Sequence, residues 1–132
     1  MYKISDLTTL IQQIAPLSLS YKLIEKGSYD NSGLLVKLSD SADKILFSLD
    51  LSEGAVMHAV QNNCDTIVTH HPAIYSPIKS VNIDVDKGLA LALKNGINVI
   101  SMHLNLDVCS LGIDDCLCQG LGGKSPKIID VI

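Results

Sequence analysis

The sequence predicts an α/β domain: a three-layer α/β/α sandwich with a mostly parallel central sheet and a site at the carboxyl ends of its strands. Three observations predict it. Strand-like and helix-like segments alternate through the middle of the chain, which leads to parallel pairing with right-handed crossovers. Two of the strand-like runs, DTIVT (65–69) and INVIS (97–101), lack polar–apolar alternation, as strands buried on both faces do. Polar residues gather where the strands end: Asp50, then His70 and His71, then His103. That is the edge at which open α/β sheets bind ligands.

Each element has its own justification. SDLTTLIQQI (5–14) places Leu7, Leu10, Ile11 and Ile14 at helical spacing, with Ser5 as N-cap and Pro16 just beyond. YDNSG (29–33) is turn chemistry. LLVKL (34–38) and KILFSL (44–49) read as strands separated by the polar turn SDSAD, and Asp50 closes the second. Ser52 caps a helix over 53–63 that sets Val56, Ala59 and Val60 on one face. DTIVT follows as a strand. DKGLALALKN (86–95) is helical, Gly96 stands where a C-terminal glycine cap belongs, and INVIS is the next strand. GIDDCLCQGL (112–121) is a last helix with Asp114 and Asp115 in its first turn, where the helix dipole favours them. KIIDVI (127–132) is apolar and strand-like. An edge of that kind leaves backbone groups unpaired and favours association with another chain.

The 132 residues suit one domain over 1–132, and 47% hydrophobic content supplies a core that is aliphatic, because aromatics are only 4%. The net charge of -4, with no basic block, argues against nucleic acid and against an anionic membrane surface. No apolar run reaches the ~18 residues that span a bilayer. MYKISDLTTL lacks the apolar stretch of a signal peptide, so the cytoplasm is the expected compartment. Cys64, Cys109, Cys116 and Cys118 do not make a disulfide framework or a paired zinc-ribbon motif, and are read as small buried hydrophobes.

The chemistry concentrates in two segments. In THHPAIYSP (69–77) two of the chain's four histidines stand side by side after an apolar run. Neighbouring strand residues point to opposite faces, so both can serve one site only where the pleat breaks. Pro72 makes that break, because it restricts His71 and cannot continue a central ladder. In MHLNLD (102–107), an extended chain puts His103, Asn105 and Asp107 on one face and Met102, Leu104 and Leu106 on the other. Imidazoles with a carboxylate suit zinc, manganese, iron, cobalt or nickel. A carboxylate can also bridge two ions, and two-metal sites serve hydrolysis by activating water. His58 falls inside a helix and is set aside.

YDNSGLLV (29–36), the run from Phe47 to Ser80 that contains LD and THHP, and INVISMHLNLDVCSLGIDDCLCQGLG (97–122) together resemble the NIF-three-like family. Its bacterial members carry the name GTP cyclohydrolase I type 2 homologue. The resemblance covers nearly the whole chain, in order, and rests on the combination of DNxGLxV, LD, THHP and HxNLDxxxxGxxD. It implies a pair of divalent metal ions in a cleft. His70 and His71 then correspond to the paired histidine ligands and Asp107 to the carboxylate that contacts the metals. His103 corresponds to the histidine opening HxNLD, a candidate acid/base or substrate contact. Asp30 and Asn31 match a motif lining the same cleft, and Asp50 lies beside it. The resemblance also implies a ring-shaped homo-hexamer. Family members are about twice as long, and their C-terminal part adds a His and a Glu as HxxxE. This sequence has no histidine after His103 and no glutamate after Glu53, so it resembles the N-terminal portion of a longer member.

Two functions are expected to compete. One is a metal-dependent hydrolase or cyclohydrolase acting on a small, nucleotide-like molecule, with His103 as proton shuttle. No Gly-rich phosphate loop is present, so GTP rests on the family name alone. The other is a non-enzymatic, ring-forming metal-binding or assembly module, toward which the missing HxxxE adds weight.

Overall fold

The computed structural model describes residues 1–127. Among them the elements run α1 (Ile4–Ile14), α2 (Leu17–Glu25), β1 (Gly33–Val36), β2 (Ile45–Ser48), α3 (Glu53–Gln61), β3 (Thr66–Thr69), α4 (Lys87–Lys94), β4 (Asn98–Ser101), α5 (Leu104–Val108) and α6 (Ile113–Gly120). The fold is mixed α/β around a four-stranded sheet of order β1-β4-β3-β2. β2 and β4 each pair parallel to β3, while β1 pairs antiparallel to β4.

Every residue of β3 and β4 is buried, which is why their sequences do not alternate. Ile67 and Val99 pack with Val56 and Ala59 of α3 and Leu89 and Ala92 of α4. Val68 and Ile100, one residue further along, pack with Ile4 and Ile11 of α1 and with Ala15. Each fully buried Ile or Val contributes about 1.5–3 kcal/mol relative to exposure, so these two central strands anchor the domain. They therefore hold the segments that leave their carboxyl ends.

LLVKL and KILFSL occupy opposite edges of the sheet. The polar run between them crosses the sheet's end, and Asn98 holds it there. This fully buried amide accepts from the N–H groups of Leu38 (2.8 Å) and Ser39 (3.0 Å) and donates to the carbonyl of Ser41 (3.0 Å). Buried backbone groups need such partners, and a side chain supplies them where no strand is near.

The sequence expectations need four corrections here. α1 is capped at Lys3, whose N–H donates to the Asp6 carboxylate (3.2 Å), because Ile4 is 3% exposed and belongs to the core; Ser5 lies within the first turn. Leu10 and Ile14 are half-exposed along an apolar groove shared with Phe47, so only part of the predicted stripe is buried. α2 was not read from the sequence: LSLSYKLIE alternates with period two, although Pro16 suits the start of a helix. Of the four cysteines, all free, only Cys109 is buried and Cys116 is exposed.

α3 keeps its Ser52 cap, with the hydroxyl accepting from Ala55 N–H at 3.1 Å. Gly96, at φ +69°, ends α4 in the left-handed conformation. The strand expected over 127–132 lies, from 128 onward, outside the described residues. No helix among the described residues is long and apolar enough to cross a membrane.

Among the glycines, Gly88, at the start of α4, lies tightest against its surroundings. A Cβ there would overlap the backbone carbonyl of Leu51. Gly88→Ala is expected to push α4 off the β2–α3 connection and to cost about 2–3 kcal/mol by overpacking, read as a lower urea midpoint at unchanged slope.

Candidate metal centre

The site is built where β3 and β4 end side by side. The chain continues the ladder one step past β3: His70 N–H donates to Ser48 O (3.1 Å) and His71 N–H to Leu49 O (2.9 Å). Ser101 Oγ donates to the His70 carbonyl (3.0 Å), and Met102 N–H to Thr69 O (2.9 Å). Pro72 then ends the run. Both histidines are thus fixed by backbone bonds to the end of β2, and His70 also by the Ser101 side chain of β4.

HxNLD is not extended, contrary to the sequence expectation. His103 is the residue before α5, and Asp107 N–H donates to His103 O (3.1 Å) in a helical turn. His103 and Asp107 are neighbours because residues four apart share a helix face. Asn105 leaves the site altogether. It is fully buried, and its Nδ2 donates to the carbonyl of Ala15 (2.7 Å), just past the end of α1. A helix end needs such partners for its last carbonyls, and this demand turns Asn105 inward.

Each of the three imidazoles has Nδ1 bound to an oxygen. His70 Nδ1 meets the carbonyl of Met102 (2.9 Å), His71 Nδ1 meets Asp50 Oδ1 (2.7 Å), and His103 Nδ1 meets Asp30 Oδ1 (2.8 Å). A carbonyl or carboxylate only accepts, so Nδ1 carries a proton, and in the neutral imidazole Nε2 keeps its lone pair. This is the arrangement that orients metal-binding histidines. His70 Nε2 lies 3.5 Å from Asp107 Oδ1. His70, His103 and Asp107 offer ligand atoms that all lie within 4.8 Å of one another. His71 stands outside that trio, with its ring centroid 5.1 Å from that of His70 and 6.0 Å from that of His103.

The two carboxyl groups near the trio are tuned in opposite directions. Burial pushes Asp30 up, but the Ser20 and Ser32 hydroxyls and the His103 imidazole outweigh it and hold its carboxyl below the usual range. Burial pushes Asp107 up and prevails, although the His70 and His103 imidazoles pull the other way. Asp107 is therefore a carboxylate short of positive charge.

The segment 29–32 ties the two ligand-bearing segments together. Asp30 holds His103, and Ser32 Oγ accepts from His103 N–H (3.1 Å) while donating to Asp30 (2.7 Å). Asn31 is bound elsewhere: its Nδ2 donates to the carbonyl of Ile74 (2.5 Å), in the loop that follows the paired histidines. Asp50 touches only His71 among the candidate ligands. Sequence reading missed Ser32, although its neighbours Asp30 and Asn31 were matched to a cleft motif, and Tyr75. A cleft of about 230 Å³ opens beside His71 and Asp50, walled by Pro72, Val85 and Lys87.

The family model for Duf34/NIF3 (NGG1p interacting factor 3) matches residues 2–131. A relative from Clostridium acetobutylicum named GTP cyclohydrolase 1 type 2 homolog is 34% identical over 130 residues, covering 96% of this chain and 46% of the relative. One of the same name from Staphylococcus aureus strain N315 is 34% identical, over 97% of this chain and 34% of the relative. The crystal structure of Staphylococcus aureus protein SA1388 superposes with a TM-score of 0.81 at 32% identity, covering 91% of this chain and 33% of that one. Reduced HcgD from Methanocaldococcus jannaschii gives 0.79 at 29% identity, covering 95% and 49%. The chain spans half or less of the length of these relatives. With a family match over nearly every residue and its motifs meeting at one point of the fold, the chain belongs to the Duf34/NIF3 family.

Proposed function

We propose that this chain is a divalent-metal-binding protein, its site formed by His70, His103 and Asp107 with His71 beside them, and that the site serves hydrolysis of a small substrate. The reading takes the fold as a three-layer α/β/α sandwich, mostly parallel, with the site at the strands' carboxyl ends. One observation carries it: ligand atoms of two imidazoles and a carboxylate gather within 4.8 Å of one another, and each imidazole is held at Nδ1 by an oxygen.

The donor set fits such an ion. Two donors bound at ~2.0–2.1 Å around a tetrahedral ion sit roughly 3.3–3.5 Å apart, and His70 Nε2 and Asp107 Oδ1 are separated by 3.5 Å. Imidazole with carboxylate selects zinc, manganese, iron, cobalt or nickel. His71, held by Asp50, offers the imidazole for a second ion. When bound, the ion supplies Lewis-acid activation of water or of a carbonyl or phosphoryl oxygen. The protein's own groups do the positioning: Met102 O fixes His70, Asp50 fixes His71, and Asp30 with Ser32 fixes His103. His103, first read as a proton shuttle, takes the place of a third ligand. The relatives' name suggests a purine nucleotide as the first substrate to try.

The test is metal content after reconstitution with zinc or cobalt. His70→Ala and Asp107→Ala are expected to lose the ion, and His71→Ala to lower the stoichiometry without abolishing it. Full occupancy in the first two variants sinks the assignment.

A second reading, a non-catalytic ring-forming module in the cytoplasm that assembles as a homo-hexamer, is favoured by one feature. Asp30 and Asp50 are committed to imidazole Nδ1 atoms, which leaves Asp107 as the one carboxylate in the described ligand group. Reconstituted protein without turnover on nucleotides or small cyclic amides would support this reading.

A further inference from the structure

The chain has five aromatic residues, four Tyr and one Phe, and two of them meet at the rim of the candidate metal centre. Tyr29 and Tyr75 pack edge to face with ring centroids 4.7 Å apart. Tyr75 also stands at 88° to the His103 ring, 6.4 Å between centroids. Neither ring belongs to the core: Tyr29 is 47% exposed and Tyr75 48%. An exposed aromatic ring is ordinary when it lies loose on a surface. This one is fixed. Its neighbour's carbonyl, Ile74 O, receives the Asn31 amide, and its own hydroxyl donates to Tyr29 O at 3.4 Å. Pro72 and Pro77 stiffen the loop on either side.

An aromatic face offers something an aliphatic side chain does not. Its quadrupole favours offset stacking with another planar π-system over contact with a saturated ring. We propose that Tyr75, propped by Tyr29, is a specificity-determining residue beside the candidate metal centre, and that it receives a planar unsaturated ring of the substrate while the substrate's polar end faces His70, His103 and Asp107. The proposal rests on the metal-site reading and adds a substrate class to it: a compact molecule with a flat conjugated ring next to a metal-binding oxygen.

The test uses two carboxylates with the same donor group and different rings. Cobalt-loaded protein is titrated with benzoate and with cyclohexanecarboxylate, followed by the visible cobalt spectrum. Benzoate is expected to bind about five- to tenfold more tightly. Tyr75→Leu is expected to remove that preference while cobalt content stays at the wild-type level, and Tyr75→Phe to retain it. A loss of cobalt from wild-type protein would overturn the metal site and this proposal together. Cobalt retained in all three proteins, with equal affinity for the two acids or a preference that survives in Tyr75→Leu, would overturn the proposal alone. A Tyr75→Leu protein that fails to fold leaves the decision to wild-type and Tyr75→Phe, where equal affinities for the two acids again overturn it.

Discussion

Asp30→Ala is expected to lower stability by about 3 kcal/mol and, separately, to weaken divalent-metal affinity ten- to hundredfold. The Asp30 side chain is 1% exposed and joins His103 Nδ1 to Ser32. Removing it strands a buried imidazole N–H and a hydroxyl, and frees His103 to rotate away from His70 and Asp107. Urea unfolding reads the first effect; zinc titration of the folded protein reads the second. Asp30→Asn keeps an acceptor for His103 and should recover part of the affinity, which separates orientation from charge. The pH dependence has a definite sign. The Asp30 carboxyl is held below 3.8 in the folded state, so its contribution is present above 3.8 and is lost as pH falls through the lowered folded value. Acid unfolding should therefore be flatter in Asp30→Asn. Wild-type stability and wild-type zinc affinity in Asp30→Ala would show that the bond to His103 holds nothing in place.

The parts of the fold visible in the sequence are those governed by one strong local rule. DTIVT and INVIS could hardly be anything but strands buried on both faces, and Ser52 and Gly96 bound their helices by capping chemistry. β1 was visible as a strand, but not its antiparallel partner: that depends on Asn98, 60 residues from Leu38, holding the crossing chain. α2 stayed hidden because its apolar residues follow a strand-like rhythm and Ser20, not a hydrophobe, is its buried residue.

The site shows the same division. His70, His71, His103, Asp107 and Asp50 could be picked out by residue type and position, and Asp30 through the family resemblance. His103 and Asp107 were paired for the wrong reason. Period two and period four both place residues 103 and 107 on one side, so the pair survives the change from strand to helix, whereas Asn105 survives only in a strand. Which imidazoles group with Asp107 was not legible. It depends on where Asp50 and Asp30 fasten the rings of His71 and His103, contacts made across 21 and 73 residues.

Asp107→Asn should separate metal binding from folding in opposite directions. With zinc at about a hundred times its dissociation constant, the wild-type protein should gain about 2.7 kcal/mol, or about 10 °C in melting temperature. The variant should gain none. Without metal the order reverses, and the variant should melt higher at neutral pH. Burial raises the Asp107 carboxyl above 3.8, so the folded protein holds that proton more tightly than the unfolded chain does. The stability tied to the proton is fully present below 3.8 and disappears as pH rises through the raised folded value. At pH 7 the wild-type fold must therefore keep an under-compensated charge, with only the partial attraction of His70 and His103 to offset it. Asparagine has the same shape and no charge to desolvate, so the gap between the two metal-free proteins should close as pH falls toward 4. Differential scanning calorimetry across pH, with chelator and with zinc, checks both halves. If the metal-free variant melts lower than wild type, Asp107 serves the fold through its pairing with His70, and the case for cation binding at its carboxylate collapses. If it melts higher and ignores zinc, the carboxylate costs the fold stability that a bound cation restores.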